Sequence, residues 1–318
     1  MHETMEMRSV MADFLKEAMK HDPEIVLMDA DLARANGTLP LFSLFPDRCF
    51  DVGVAESNMA CIGAGLASYG FKPIIFSFCA FVVRRAFDQI VLSIGYAGQN
   101  VKIVGTDPGI ATELNGGTHM CFEDVGAMRC IPGMVIYEPV DGGQLARALP
   151  QIMDHAGPVY IRLFRKLPSA AWFSADNYKF DLFKADVLRE GNDVTLFATG
   201  IEVTEAMAAA GQLQKRGVSA EVINIHTLNP IDRKTVVESV RKTGCAVTCE
   251  NHSIHGGLGS AVAEVLSEEC PAQLGFIGAK DRFGEVGRLA YLLEKFEMDA
   301  GSITRKALRV MEKRNPVK

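Results

Sequence analysis

The sequence has no Cys-x-x-Cys pair among its eight cysteines and only one tryptophan. Without the paired spacing of a zinc or redox motif, Cys49, Cys61, Cys79, Cys121, Cys130, Cys245, Cys249 and Cys270 are expected as reduced, mostly buried thiols. Cys245 and Cys249 share a face of an expected strand, with His252 and His255 close behind. A strand running into a loop favours packing over metal binding there. No block of like charges occurs and the net charge is −6, so the basic patch that a nucleic-acid surface needs is missing. No apolar run reaches membrane-spanning length. Residues 1–20 mix acids, bases and apolar side chains at helical spacing. They lack the charged start, apolar middle and small-residue cleavage site of a secretion signal, so a cytoplasmic protein is expected. There is no internal repeat, no low-complexity segment and no Gly-x-Gly-x-x-Gly. The run Gly256-Gly257-Leu258-Gly259 opens a helix and is read as tight packing rather than phosphate binding.

What the chain does have is length and apolar content: 318 residues, 48% hydrophobic and 23% charged, enough for two domains with sizeable cores. Short β-branched strands, expected at 24–28, 50–54, 72–78, 101–105, 134–138 and 159–163, alternate with helices at 7–19, 57–68, 81–96 and 142–154. The rhythm breaks between 167 and 191, where Pro168, Ser169, Ser174, Asp176 and Asn177 mark a linker. It resumes with strands at 193–199, 219–224 and 246–250 and a helix at 203–216. The expected fold class is α/β with two domains, each a mostly parallel sheet covered by helices on both faces. The expected boundaries are 1–168, a linker at 169–190, and 191–318.

Chemistry-bearing residues gather where strands end and helices begin, the edge at which open α/β sheets bind ligands. Glu56 follows the strand ending near Val54 and opens a helix with small residues at Ala60, Gly63, Ala64 and Gly65. A carboxylate at such a seam is paired, protonated or employed; the plain alternative is a first-turn helix charge. Phe78 and Phe81 flank a strand-to-helix turn, which serves core packing or the clasping of a flat heteroaromatic ring. The polar loop 106–119 is long for a compact domain and carries Asp107, Asn115, Gly116, Gly117 and His119. Gly116 and Gly117 allow close backbone approach, and His119 can move a proton near neutral pH.

Four stretches occur in order: DVGVAESNMACIGAGLASYG, FSFCAFVVRRAFDQI, the loop ending GGTHMCFEDVGAMRCIPGM, and YIRLFRK. Together they resemble the pyrimidine-binding domain of transketolases. The second unit, from ATGIEVTEA to GGLGSAVAEVL, is similar to the transketolase C-terminal domain. The resemblance implies thiamine diphosphate as cofactor. It matches Glu56 to the acid that bonds N1′ of the aminopyrimidine, and Phe78 and Phe81 to the aromatics that hold that ring. It matches His119 to a histidine at the substrate oxygens, Arg165 to an arginine that binds the acceptor's phosphate, and Arg8, more loosely, to a second such arginine. It implies transfer of a two-carbon ketol unit between sugars or sugar phosphates.

The pattern departs from the family in two places. Usual transketolases carry His where this chain has Asp107, and Asp where it has Asn115; both positions touch substrate hydroxyls. 1-Deoxyxylulose-5-phosphate synthase shares the Asp but follows it with Arg, where Pro108 stands here. The second departure is an absent Gly-Asp-Gly motif with its downstream Asn, which holds Mg²⁺ and the diphosphate in thiamine enzymes. A diphosphate without a cation would be costly to bind. The expected arrangement is a split enzyme: a separate N-terminal subunit carries Gly-Asp-Gly and the Mg²⁺, and two copies of each chain form an α2β2 assembly. Three alternatives stand beside it: the beta subunit of a 2-oxo acid dehydrogenase's thiamine-dependent component, a synthase-like activity, and a non-catalytic scaffold on the same fold.

Overall fold

The computed structural model describes residues 5–173 and 178–314; the expected linker positions Ser174, Asp176 and Asn177 lie outside them. Two sheets organise the chain. The first has seven strands. β1 (Ile25–Asp29), β2 (Cys49–Asp51), β3 (Lys72–Phe78), β4 (Lys102–Thr106), β5 (Val135–Tyr137) and β6 (Val159–Leu163) are mutually parallel, in the order β5-β6-β4-β3-β1-β2. β1, β3, β4, β5 and β6 are buried almost throughout, the state of strands covered on both faces. In the second sheet β8 (Val194–Ala198), β9 (Ala220–Asn224), β11 (Cys245–Ser253) and β12 (Gln273–Ala279) run parallel. Both sheets are therefore mostly parallel, as the alternating pattern implied.

Each sheet also has one antiparallel edge strand that the periodicity did not disclose. β7 (Asp186–Arg189) lies within the stretch read as linker and pairs with β9. β10 (Thr227–Asn229) comes from the second half of the chain, yet it pairs with β5 and completes the first sheet.

Helix placement follows local signals. α1 (Met7–His21) buries Met7, Val10, Met11, Leu15 and Met19, a single stripe at helical spacing. α4 (Glu56–Ser68) starts one residue earlier than read, so Glu56 lies in its first turn. α5 (Cys79–Gln89) follows β3 without a loop and continues as a π-helical turn, Ile90–Tyr96. α7 (Gly142–Asp154) is capped by the Asp141 side chain, which accepts from the Gln144 backbone N–H at 2.8 Å. β11 runs beyond the expected strand end at 250 and places His252 in the sheet, buried, rather than in a loop. α10 (Leu258–Glu269) opens at the glycine run. There the Glu250 carboxylate accepts from the N–H groups of Leu258 at 2.7 Å and Gly259 at 2.8 Å. That helix start is thus filled from within the protein. A Cβ at Gly257 would lie 2.0 Å from Glu250 Oε2, so close packing explains the glycine.

The eight cysteines are free thiols. Five are buried, as the expectation of mostly buried positions has it; Cys270 is half-buried, and Cys61 and Cys130 are exposed. No described helix is long and apolar enough to cross a membrane.

Candidate active site

The carboxyl edge of the first sheet gathers most of the expected residues into one line. Glu56, at the start of α4, is 3% exposed and accepts from Arg85 Nη1 at 2.8 Å. Arg85 in turn lies over the Phe81 ring, 4.1 Å from guanidinium carbon to centroid. Phe81 stands 5.7 Å from Phe78 and 5.1 Å from the His119 ring, and Phe78 stands 6.2 Å from His119. The Arg165 guanidinium lies over the other end of this platform, 5.0 Å from the Phe78 centroid. Arg165 Nε donates to Asp107 Oδ2 at 2.6 Å. The order Glu56, Arg85, Phe81, His119, Phe78, Arg165, Asp107 is therefore continuous in space though scattered in sequence.

Each position has a local cause. Phe78 ends β3 and Phe81 lies in the first turn of α5, so the direct strand-to-helix junction sets their separation. Asp107 follows β4 with φ 51°, a left-handed backbone that costs most residues about 1 kcal/mol and that Asp tolerates better than most. Burial pushes its carboxyl above the ordinary value, while the Arg165 and Lys166 cations pull against that shift. Its Oδ1 is buried without a hydrogen-bond partner among the described residues.

Arg8 and Arg165 come from opposite ends of the first sheet's sequence and meet on one acceptor: Nη1 of each donates to the Ala35 carbonyl at 3.0 Å. Backbone bonds from Met7 and Arg8 N–H to the Lys166 and Arg165 carbonyls, at 3.1 and 3.0 Å, bring α1 to the end of β6. The looser of the two arginine matches is thus placed beside the firmer one.

The loop 107–119 is held by the second domain. Asn251, in β11, accepts from Ile110 N–H at 2.8 Å and donates to the Pro108 carbonyl at 2.9 Å. Gly109 has φ 50°, and a Cβ there would sit 2.1 Å from Asn251 Oδ1. Gly117 is required because a Cβ would meet the Gly284 carbonyl oxygen at 2.2 Å. What approaches these glycines is the second domain's backbone and side chains. The expected substrate-loop residue Asn115 does not join the line: it is exposed and, among the described residues, its side chain makes no hydrogen bond. His119 is half-buried, with Nδ1 2.9 Å from Thr118 Oγ1.

Two contributors were missed in the sequence. Arg85 reads as a solvated helix charge, although its place four residues after Phe81 puts both on one helix face. Asp29, at the end of β1, is buried and accepts from Asn36 Nδ2 at 2.8 Å; burial pushes its carboxyl up to about 6. Asn36 Oδ1 accepts from Thr106 Oγ1 at 2.9 Å, so this pair supports the chain immediately before Asp107. Its signal was a lone acid closing an apolar run.

Beneath the aromatic platform, Cys79, Cys121 and Asp124 bring potential ligand atoms within 4.8 Å of one another. Asp124 is already committed to Arg162 Nε and Tyr160 Oη, at 2.7 and 2.9 Å, which leaves the group a packed polar core.

Two open-sheet domains with an acid, an aromatic pair, a histidine and an arginine pair at one carboxyl edge define a small-molecule-binding α/β protein. The chain belongs to the transketolase family. The family models "Transketolase, pyrimidine binding domain" and "Transketolase, C-terminal domain" match residues 3–169 and 183–303. A 6-deoxy-6-sulfo-D-fructose transketolase subunit from Clostridium sp. (strain MSTE9) is 52% identical over 309 residues, 97% of this chain and 95% of the relative. A subunit of the apulose-4-phosphate transketolase from Phocaeicola vulgatus is 32% identical over 96% of this chain and 97% of that one. A solved split gene transketolase, described as an inactive beta4 tetramer, superposes with a TM-score of 0.87 at 37% identity, covering 98% of this chain and 99% of that chain. The chain is accordingly a transketolase subunit, a component of a transferase. Neither the 2-oxo acid dehydrogenase reading nor the synthase-like one is favoured by these relatives.

Proposed function

We propose that this chain is the C-terminal subunit of a split, thiamine-diphosphate-dependent transketolase that moves a two-carbon ketol unit between sugars bearing an anionic end group. The observation that carries this reading is the unbroken line from Glu56 to Asp107: acid, aromatic pair, histidine, arginine. The residues suit an aminopyrimidine. Among the described residues Glu56 Oε2 has no hydrogen-bond partner, and the exposed Arg85, which now covers both Glu56 and Phe81, can swing aside. When bound, the cofactor supplies a carbanion and an electron sink. Glu56 holds a proton at the ring nitrogen, Phe78 and Phe81 flank the ring, and His119 donates to substrate oxygen where charge develops. Arg165 and Arg8 take the anionic end group, while Asp107 faces a substrate hydroxyl. The first domain is 1–168, and the second, expected from 191, takes in β7 (Asp186–Arg189) as well and runs to 318.

Without Gly-Asp-Gly, the Mg²⁺ and diphosphate fall to an N-terminal partner subunit, in an α2β2 assembly working in the cytoplasm. Two relatives are themselves named as transketolase subunits, one of an enzyme named for a sulfosugar and the other of an enzyme named for a sugar phosphate. The test is reconstitution with a neighbouring gene's Gly-Asp-Gly chain. Ketol transfer by the pair, with weak or no calorimetric binding of thiamine diphosphate to this chain alone, is the expected result. Decarboxylation of 2-oxo acids instead of ketol transfer would overturn it.

A further inference from the structure

Arg84 lies in α5 beside Arg85, but its side chain reaches the loop rather than the acid. Nη1 donates to the Thr118 carbonyl at 3.2 Å and Nη2 to the Met120 carbonyl at 2.8 Å. These two acceptors flank His119. Nε pairs with the Glu123 carboxylate, whose Oε2 accepts from the Phe122 N–H at 2.8 Å. One guanidinium thus grips the chain on both sides of His119 and ties it to the segment that follows. Packing holds this stretch only in part. Gly117 and Met120 meet the second domain at Gly284, but beyond that contact the stretch borders a cavity of about 890 Å³, lined also by Arg84, Phe122 and Glu123.

As a surface ion pair alone, Arg84 and Glu123 contribute little to stability, since their side chains are 40% and 50% exposed. The geometry uses more than charge. A lysine can meet Glu123, but a planar fork is needed to reach two carbonyls and a carboxylate at once. α5 also carries Phe81, and the His119 ring stands at 62° to the Phe81 ring with centroids 5.1 Å apart. The same helix therefore supplies the ring that His119 leans on and the clamp on its backbone. We propose that Arg84 is a positioning residue for His119, fixing the imidazole against Phe81 where it can donate to the substrate oxygen. This rests on the ketol-transfer reading above, which gives His119 its task and Arg84 none.

The experiment compares Arg84→Met, Arg84→Lys, His119→Gln and the double variant Arg84→Met with His119→Gln in the assembled two-subunit enzyme. Arg84→Met should lower kcat by about ten- to a hundredfold, the scale of misplacing a reacting group by about 1 Å. KM should change by less than about threefold, because the lost contact forms in the transition state. Arg84→Lys should recover little, since the charge remains but the fork does not. In the His119→Gln background Arg84→Met should cost no more than about twofold, because its effect passes through the imidazole. An equal cost in both backgrounds, full activity in Arg84→Met, or full recovery by lysine overturns the proposal. Glu123→Gln should show the same dependence on His119 with a smaller loss, and it serves if Arg84→Met fails to fold. Magnetic resonance of the full chain, labelled at histidine, needs no turnover. The His119 ring signals, identified by their absence in His119→Gln, should lose the ring-current shift from Phe81 in Arg84→Met. Unmoved signals overturn the proposal even where ketol transfer fails. Wild-type turnover in His119→Gln would instead remove the histidine from the ketol-transfer reading, while the signals would still decide what holds it.

Discussion

Arg85 Nη1 lies 2.8 Å from Glu56 Oε1 while its guanidinium covers the Phe81 ring at 4.1 Å, so one exposed arginine caps both the acid and an aromatic of the site. If Glu56 is the proton partner of the cofactor, Glu56→Gln in the assembled enzyme should lower kcat by about 10²–10⁴, the range for a positioned proton donor or acceptor. Its thermal midpoint should change little, because the amide keeps the shape and can still bond Arg85. Turnover within a few-fold of wild type would remove Glu56 from the mechanism.

Arg162 is fully buried and holds Asp124, Glu138 and the Asn251 carbonyl together, with bonds of 2.6–3.2 Å. Removing it strands two carboxylates in the core. Arg162→Met should cost about 3–5 kcal/mol of stability. Chemical denaturation reads this directly, and a loss below about 1 kcal/mol would mean that the network relaxes or takes in water.

Gly109 combines a left-handed φ with a Cβ position 2.1 Å from Asn251 Oδ1. Gly109→Ala should therefore break both Asn251 bonds to the loop 107–119 and lower stability by about 1–3 kcal/mol. In the assembled enzyme it should raise KM as well, because Asp107 and His119 bound the same loop. An unchanged KM would show that the loop's placement does not depend on the second domain.

Burial pushes the Glu250 carboxyl up to about 7, against the pull of the Gly259 and Leu258 N–H groups. With the folded value above the unfolded one, the folded state holds the proton longer. The stabilisation is then complete at low pH and is lost as pH rises from about 4.5 to about 7. Nearby His252 is pushed down to about 4 by burial, so its contribution runs the other way and is lost as pH falls from about 6.5 to about 4. Glu250→Gln removes only the first slope. Relative to wild type the variant should gain up to about 3 kcal/mol between pH 4.5 and 7. A pH-independent difference in denaturation free energy would refute the assignment.

Legibility in the sequence tracked how local the cause was. The helix at 142–154 was readable because its cap, Asp141, and its apolar stripe lie within one segment. The strand at 159–163 was readable from its own apolar run. β10 was not: so short a strand carries no period, and its partner, β5, lies far earlier in the chain. The site divides in the same way. Glu56, Phe78, Phe81, His119 and Arg165 stood out by type and position at strand ends. Arg85 and Asp29 look ordinary until folding brings them beside Phe81 and Asn36. Asn115 shows the reverse, a residue marked by motif whose side chain stays exposed and unbonded among the described residues.

The pairing of β10 with β5 makes the two halves of the chain inseparable in an operational sense. A fragment ending anywhere before residue 227 would leave β5 as a bare edge, with backbone groups open to pairing with another molecule. During synthesis the first sheet likewise stays unfinished until β10 has emerged from the second domain's chain. Expression of the pyrimidine-binding portion alone should give a sticky, aggregating product, and any engineered fusion must join the chain at its ends rather than at the segment between its sheets.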